Sequence, residues 1–166
     1  PGTAHAIERD SSGRVLVQRG LTIGTMIELG VGFHPELTGR ENVFLNGSVY
    51  GLTRRQVERI YDQVVNYSEI GRFIDEPLKN YSSGMMMRVA FSMAVQLDPE
   101  VLLLDEIFAV GDEAFQEKCY DKIDEFQKAG KTIIFVSHDL QAVRRVASRA
   151  IWLSEGRVQA DGDVDQ

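Results

Sequence analysis

The spacing of apolar residues changes along this chain, and each change predicts a different kind of element. Before residue 38, short β-like runs occur at 15–17 and 25–27 between turn-rich pieces such as residues 10–13, Asp-Ser-Ser-Gly. Short runs bounded by turn-forming residues are typical of β-strands. The first part of the chain is therefore predicted to form short strands.

The stretch 38–75 follows a helical spacing instead. Two capping-box patterns, Thr38 with Glu41 and Thr53 with Gln56, each place a hydroxyl three residues before a side chain that can reach back to it. After the second box, apolar residues recur at helical intervals. We therefore predict a small, mostly helical segment that ends before the next proline.

A nearly continuous apolar stretch follows Ser82 and predicts a buried helix that ends near Leu97. Only Arg88, Ser92 and Gln96 interrupt it, and they recur every fourth residue. Residues at that spacing lie on one face of a helix, so these three form a single polar stripe. The rest of this helix is expected to pack against other elements.

From residue 99 onward, short apolar runs alternate with amphipathic helices. The runs 101–104 and 132–136 are continuous, as expected of strands that are covered on both faces. One apolar helix face lies between these runs: Phe115, Cys119, Ile123 and Phe126. A second helix follows near 140–146, and then a hairpin with its turn at Glu155-Gly156. Strand, helix, strand, helix, strand implies parallel β-α-β units and an α/β fold.

Composition narrows the classes of protein to which this fold could belong. A length of 166 residues suits one domain, and an apolar content of 43% is enough for a sizeable core. A net charge of −7 argues against a protein that coats nucleic acid, because such proteins carry a basic stripe. The single cysteine, Cys119, favours a reducing compartment. No stretch approaches the roughly 20 apolar residues of a membrane span, so any membrane role is expected to come through a partner.

The candidate chemistry lies where the two continuous runs end. Asp105-Glu106 follows the first run and His138 follows the second. Since ligands of open α/β sheets gather at the carboxyl ends of the strands, these residues are expected to face one crevice. A carboxylate pair there suits a divided task, in which Asp105 holds magnesium and Glu106 orients the water that attacks a γ-phosphate. His138 could contact that phosphate and help to align the water.

Each of these residues also has a purely structural interpretation. Asp105 could cap the following turn while Glu106 remains solvated. A lone histidine after a strand is more often structural, although the acidic pair one β-α unit upstream favours the functional interpretation here. The helix start Ser82-Ser83-Gly84 offers hydroxyls and free N–H groups to an anion, but Ser82 could equally be an ordinary N-cap.

The sequence contains no G-x-x-x-x-G-K-[ST] loop, the pattern that holds the phosphates of a nucleotide. Gly130-Lys131-Thr132 is the nearest candidate, but Glu125 stands five positions before Gly130, and the local order is helix then strand. That order is the reverse of what a phosphate loop requires. We therefore expect the loop to lie upstream of Pro1, the start to be a truncation, and these 166 residues alone to bind ATP weakly or not at all.

The order of the motifs resembles the nucleotide-binding domain of ATP-binding cassette (ABC) transporters. Residues 81–85, Tyr-Ser-Ser-Gly-Met, are similar to the family signature, and residues 101–106 are similar to its Walker B strand. Residues 109–112 stand at the place of the D-loop, and His138 matches the switch histidine. The run 26–42, together with this form of the signature, resembles the subfamily that exports lipid-linked polysaccharides such as O-antigen, teichoic acid or galactan.

The resemblance implies an α/β fold, a parallel-sheet core like that of P-loop NTPases with a small helical subdomain. Residues 1–37 would be the remnant of an N-terminal β region and Q-loop region. Residues 38–98 would form the helical subdomain with the signature, and residues 99–166 the α/β core with its C-terminal hairpin. ATP and Mg²⁺ would be the cofactors.

The resemblance also implies roles for individual residues. Glu106 and His138 would be catalytic, and Asp105 would hold Mg²⁺. Glu28, near the place of the Q-loop glutamine, would be a second metal contact. The signature would contact the ATP held by a partner copy, with Asp112 of the D-loop nearby; its residues are Tyr81, Ser82, Ser83, Gly84 and Met85.

The partners follow from the same resemblance. Two copies would sandwich two ATP molecules head to tail, and about residues 28–75 would contact an integral membrane permease. The protein would then act peripherally at the cytoplasmic face of the inner membrane and couple ATP hydrolysis to polysaccharide export. No nucleic acid would be involved.

Two other functions are compatible with some of these residues. The chain could be a non-transport ATPase related to chromosome-organising or DNA-repair heads. Those heads usually carry a long coiled-coil insertion, and no sustained heptad pattern is present. The chain could also be a non-enzymatic fragment that serves as an interaction module.

Overall fold

The computed structural model describes residues 7–9, 15–17, 21–26, 32–105 and 112–164. All structural statements below concern those residues. Two predicted site residues, Glu28 and Glu106, lie outside them, as do residues 109–111 of the predicted D-loop.

Three strands are followed by three helices, and strands and helices then alternate from the third helix to the sixth strand. Two 3₁₀ turns lie between the second and third helices, at Gly71–Asp75 and Leu78–Asn80. The strands are β1 (Ile7–Arg9), β2 (Val15–Val17), β3 (Ile23–Met26), β4 (Val101–Asp105), β5 (Thr132–Val136), β6 (Arg149–Ser154) and β7 (Arg157–Asp163). The helices are α1 (Gly39–Val49), α2 (Arg54–Ser68), α3 (Ser83–Gln96), α4 (Glu113–Lys128) and α5 (Leu140–Val146).

The central sheet is parallel, as the sequence predicts, and has the order β3-β4-β5. Val101 of β4 lies opposite Thr132 of β5 and also opposite Ile23 of β3. The predicted hairpin is present, since β6 pairs antiparallel with β7, but β6 does not join the parallel strands as the strand-helix alternation implied. The third parallel strand is β3, which precedes β4 by more than 70 residues. Apolar spacing cannot show that pairing, because it reports burial and not the neighbour of a strand.

Both predicted capping boxes are present and fix the starts of α1 and α2. The backbone N–H of Thr38 donates to Glu41 Oε2 at 2.8 Å, and the Thr38 hydroxyl accepts from the Glu41 N–H at 3.2 Å. The backbone N–H of Thr53 donates to Gln56 Oε1 at 2.8 Å. These bonds satisfy donors that a helix start leaves without an intrahelical partner.

Helix α3 lies between two groups of buried side chains, and its own residues belong to both. The sheet cluster consists of Met87, Phe91, Ala94, Val95, Leu102, Leu104, Phe115, Cys119, Ile123, Phe126 and Val146. The helical cluster consists of Val43, Val57, Val64, Ile70, Ile74, Leu78, Tyr81, Val89 and Met93. Because α3 is apolar on both sides, it can serve as the shared wall of the two clusters.

The polar stripe on α3 is not a water-facing surface. Ser92 is fully buried, and its hydroxyl donates to the Arg88 carbonyl at 2.6 Å. The Arg88 side chain is only 15% exposed. Apolar residues of α5 likewise differ in burial, since Leu140 is exposed while Ala142 and Val146 are buried. Packing in three dimensions, and not spacing alone, decides which of these positions meet solvent.

Strand β5 and the separate hairpin of β6 and β7 expose apolar side chains. On β5, Ile134 and Val136 are exposed, whereas Ile133 and Phe135 pack against the sheet cluster. The hairpin of β6 and β7 exposes Ile151, Trp152, Leu153 and Val158. Across the described ranges, no helix has both the length and the apolar content needed to cross a bilayer.

Candidate functional site

The parallel sheet brings two of the predicted site residues to the same edge. Asp105 is the last residue of β4 and lies opposite Val136, the last residue of β5. His138 follows two residues later and is exposed. Both residues therefore lie at the carboxyl edge of neighbouring strands, where open α/β sheets bind their ligands.

The turn that carries His138 is ordered by the residues on either side of it. The backbone N–H of Asp139 donates to Ser137 Oγ at 3.1 Å. The Asp139 side chain caps α5, because its Oδ1 accepts from the Gln141 N–H at 2.8 Å. Ser137 and Asp139 thus have structural roles that hold the loop between β5 and α5 in place.

Asp105 is half-buried and supplies oxygen donors at this edge. Magnesium commonly takes one or two carboxylates and completes its shell with water and phosphate oxygens. Asp105 therefore fits the predicted metal contact. In the ranges that the structure describes, no three His, Cys, Asp or Glu side chains converge on one metal position.

The start of α3 confirms the structural interpretation for Ser82 and leaves its neighbours available. Ser82 is the N-cap, and its Oγ accepts from the Met85 N–H at 3.2 Å. Ser83 is exposed and Gly84 is half-buried in the first turn. The first turn of a helix directs its backbone N–H groups and the positive end of its dipole outward, so this end of α3 suits an anion.

Tyr81 and Met85 lie on the inner side of this helix start. Tyr81 is buried in the helical cluster, and its hydroxyl donates to the Phe73 carbonyl at 2.5 Å. Burial raises the pKa of Tyr81 to about 12. Met85 is half-buried against the same cluster. These two residues anchor the segment before α3, and their predicted contact with a nucleotide stays a prediction.

Asp112 lies at the start of α4 and makes two kinds of contact. Its Oδ1 caps the helix by accepting from the Phe115 N–H at 3.0 Å. Its Oδ2 accepts from Arg88 of α3. The Arg88 guanidinium, and then the Phe115 N–H, lower the pKa of the Asp112 carboxyl below its ordinary value. The sequence indicated a D-loop position for Asp112 but not its partner on α3.

Asn42 on α1 is a buried polar residue whose structural role the sequence analysis did not predict. It is fully buried, and its Oδ1 accepts from the His34 N–H at 2.6 Å. Its Nδ2 donates to the carbonyls of His34, Leu37 and Thr38 at 2.9–3.0 Å. One amide thus holds the loop before α1. The available signal was a polar residue at an inward helical position, where a side chain must find internal partners.

The Gly130-Lys131-Thr132 segment, which the sequence analysis rejected as a phosphate-binding loop, is a helix-to-strand turn, as its sequence order predicts. The Gly130 N–H donates to the Gln127 carbonyl at 2.9 Å, and Lys131 forms an ion pair with Asp98. These contacts belong to the connection between α4 and β5.

Comparisons with known proteins agree with this architecture. The family model described as "ABC transporter" matches residues 2–109. The O-antigen export system ATP-binding protein RfbB of Klebsiella pneumoniae is 46% identical over 144 residues, which cover 87% of this chain and 58% of that protein. The teichoic acids export ATP-binding protein TagH of Bacillus cereus is 43% identical over 140 residues, 84% of this chain and 26% of that protein. The chain thus spans little more than half the length of RfbB.

Solved structures show the same fold. An ATP binding subunit of an ABC transporter has a TM-score of 0.75 at 27% identity, and the match covers 87% of this chain and 60% of that one. An ATP-binding cassette solved as a dimer in a post-hydrolysis state, bound to ADP and Pi, has a TM-score of 0.76 at 22% identity. That match covers 95% of this chain and 75% of the other.

Proposed function

Because this chain belongs to the ABC transporter family, we propose that its protein is the ATP-hydrolysing subunit of an exporter of lipid-linked polysaccharide. The relatives named for O-antigen and teichoic acid export support this substrate class. The observation that carries the proposal is the edge of the parallel sheet, where Asp105 lies opposite Val136 and His138 follows on the neighbouring strand.

At that edge, each residue has a distinct proposed task. Asp105 holds Mg²⁺, which neutralises charge on the phosphates when it is bound. Glu106, the next residue in the sequence, orients the attacking water and accepts its proton. His138 donates a hydrogen bond to the γ-phosphate and helps to align the water. Glu28 is proposed as a further metal contact from sequence alone.

A second copy of the protein is proposed to complete the site. The start of α3 in one copy would contact the γ-phosphate of the ATP held by the other copy, through Ser83 and Gly84. The exposure of Ser83 and the outward N–H groups of the first helical turn support this role. Tyr81, Ser82 and Met85 would hold that helix start in position, and Asp112 would lie beside it.

The helical part of the protein is proposed to contact an integral membrane permease. Leu45 and Val49 lie four residues apart on α1 and are both exposed, and Phe73 is exposed in the first 3₁₀ turn. Exposed apolar side chains within residues 28–75 suit such an interface. This contact would place the protein peripherally at the cytoplasmic face of the inner membrane.

The proposal is tested by Glu106→Gln in the full-length protein. The amide is close in shape to the carboxylate but cannot accept the proton of the attacking water, so we expect ATP hydrolysis to fall by about 100-fold or more. ATP-dependent dimerisation, measured by gel filtration or light scattering, should persist. The matched control is Glu113→Gln, in the exposed first turn of α4, which should leave turnover within about twofold.

Two results would count against the proposal in different ways. Unchanged turnover in Glu106→Gln would remove Glu106 from its role. A wild-type protein that hydrolyses no ATP, or that co-purifies with DNA instead of a membrane permease, would overturn the proposed function itself.

A further inference from the structure

Arg88 is a charged residue in the middle of an apolar helix, and its guanidinium is almost enclosed by protein. Its side chain is only 15% exposed, and the neighbouring turns of α3 pack into the sheet and helical clusters. A charge in such a place requires partners, because desolvation without them is costly. The structure supplies partners from two other helices.

The first partner is Asp112 at the start of α4. Arg88 Nη2 donates to Asp112 Oδ2, while Asp112 Oδ1 accepts from the Phe115 N–H at 3.0 Å. One carboxylate therefore joins the helix cap of α4 to the middle of α3. The guanidinium carbon also lies 4.4 Å from the centre of the Phe115 ring, within cation–π range.

The second partner is Glu69, the C-cap residue that directly follows α2. Arg88 Nη1 lies 3.1 Å from Glu69 Oε2 and donates to the Ser68 carbonyl at 3.3 Å. Lys118 of α4 holds the other Glu69 oxygen at 2.7 Å. Glu69 has a φ of 56°, a left-handed conformation that is unfavourable for a residue other than glycine. These ion pairs help to offset the cost of that conformation.

The ring contacts below the guanidinium connect the same three helices. Tyr67 of α2, Phe91 of α3 and Phe115 of α4 have ring centres 6.1–6.3 Å apart in every pairing. The Tyr67 hydroxyl also donates to the Lys118 carbonyl at 2.8 Å. Arg88 thus sits on a packed aromatic base that fixes where its planar guanidinium can lie.

We infer that Arg88 is a positioning residue for ATP hydrolysis. It fixes the position of the start of α3, at Ser82 and Ser83, relative to Asp112 at the start of α4. The inference rests on the proposed function. Arg88 stands five residues after Ser83, which is about 7.5 Å along a helix axis. Asp112 stands six residues after Glu106 in the sequence. One guanidinium therefore connects the helix that begins at Ser83 to the cap residue of α4.

The shape of the guanidinium explains why a different cation would not serve as well. Arginine presents several donors in one plane and stacks on aromatic rings, whereas lysine presents a single rotating ammonium group. Lysine at position 88 could reach one carboxylate, but it could not hold Glu69, the Ser68 carbonyl and Asp112 together. Arg88→Lys should therefore keep the charge and lose much of the positioning.

The test measures ATP hydrolysis by full-length variants, with kcat and KM determined separately. Displacement of a catalytic group by about 1 Å costs on the order of 100-fold in rate, so we expect Arg88→Met to lower kcat by about 10- to 100-fold. The KM for ATP should change by less than about threefold. Arg88→Lys should fold normally and give an intermediate kcat.

Asp112→Asn separates the ion pair from the helix cap, since asparagine caps helices as well as aspartate does. This variant should also lower kcat, and Arg88→Met combined with Asp112→Asn should lower it no further than the more impaired single variant. Losses that fail to add identify a shared contact. A merely structural role would not produce this pattern in kcat.

Arg145 offers a matched control. It donates to both Glu117 oxygens at 2.6–2.7 Å and lies 3.8 Å from the centre of the Tyr120 ring, so it has the same chemistry as Arg88 between α5 and α4. Arg145→Met should lower the melting temperature by a few degrees and leave kcat within about twofold.

The possible failures are distinguishable. A wild-type protein without ATPase activity would overturn the proposed function, and this inference with it. Active wild type would overturn the inference alone in any of three cases: Arg88→Met keeps kcat within twofold, Arg145→Met loses as much kcat as Arg88→Met, or the Arg88 and Asp112 losses multiply.

Discussion

The two sides of α3 differ in how their folds are specified. On one side, the helical cluster joins α1, α2 and the 3₁₀ turns, and the starts of α1 and α2 are fixed by contacts between residues close in sequence. On the other, the sheet cluster depends on β3, β4 and β5, which are separated by long stretches of chain. The comparison shows that one helix can join a part built by local signals to a part built by long-range pairing.

The local character of the helical side is visible in its polar contacts. Thr38 with Glu41 and Thr53 with Gln56 are three residues apart, and Asn42 reaches carbonyls four to eight residues before it. Such contacts form within short loops, whose closure costs little entropy. The helix starts on this side can therefore be predicted from local sequence patterns.

The sheet side shows the opposite property. The β3 to β4 pairing joins Ile23 to Val101, which are 78 residues apart in the sequence. The Thr22 N–H donates to Glu100 Oε2 at 2.7 Å, and these two residues are also 78 positions apart. Strand β5 also exposes apolar residues, of which Ile134 is an example. This side is ordered by contacts that a local pattern cannot reveal.

The largest loss of unfolding free energy is expected from two substitutions on α3, one in the sheet cluster and one in the helical cluster. Phe91 is buried in the sheet cluster and Met93 in the helical cluster. We expect Phe91→Ala to cost about 3–5 kcal/mol of unfolding free energy and Met93→Ala about 2–5 kcal/mol, because each leaves a cavity. Urea denaturation measures both losses.

Hydrogen exchange then tells the two sides apart. Phe91→Ala should speed amide exchange most in β4 and α4, and Met93→Ala should speed it most in α1 and α2. If both variants loosened the same amides, the two clusters would be a single cooperative unit and the comparison would fail.

An intermediate effect is expected at Gly47, where α1 approaches α2 closely. A Cβ at this position would lie 2.2 Å from Val57 Cγ2, and Val57 is buried and β-branched. Gly47→Ala should therefore destabilise the protein by about 1–2 kcal/mol, after the helix propensity of alanine offsets part of the overpacking. Thermal denaturation measures the change.

The control for Gly47→Ala places alanine at the next position, which is exposed. Ser48→Ala should change stability by less than about 0.5 kcal/mol. A Gly47→Ala protein as stable as the wild type would mean that α1 can move away from α2 freely.

The smallest effect is expected at Ile134, which faces away from the sheet cluster on β5. Ile134→Thr should alter the unfolding free energy by no more than about 0.5 kcal/mol, because its side chain is already 41% exposed. Ile133→Thr, one residue earlier and packed against the cluster, should cost about 1–3 kcal/mol. Equal losses at the two positions in the full-length protein would show that both faces of β5 are covered there.

Several features of the fold and site could be predicted because their signals are local. Strand β5 has the predicted bounds, the four apolar residues of α4 are all buried, and the hairpin turns at Glu155-Gly156, where both residues have positive φ. The division of the chain at residue 98 stays a prediction, and α3, which ends at Gln96, packs on both clusters.

The sequence by itself determined the helix caps, the alternation of strands and helices after residue 98, and the placement of Asp105 and His138 at the ends of neighbouring strands. These features depend on residues a few positions apart, so spacing and side-chain chemistry suffice to show them. Only the tertiary structure decided that β3 pairs with β4, that Ser92 is buried, and that Arg88 joins Glu69 to Asp112. Those contacts link residues 19 or more positions apart or depend on what packs around them, and their partners are set by the path of the chain.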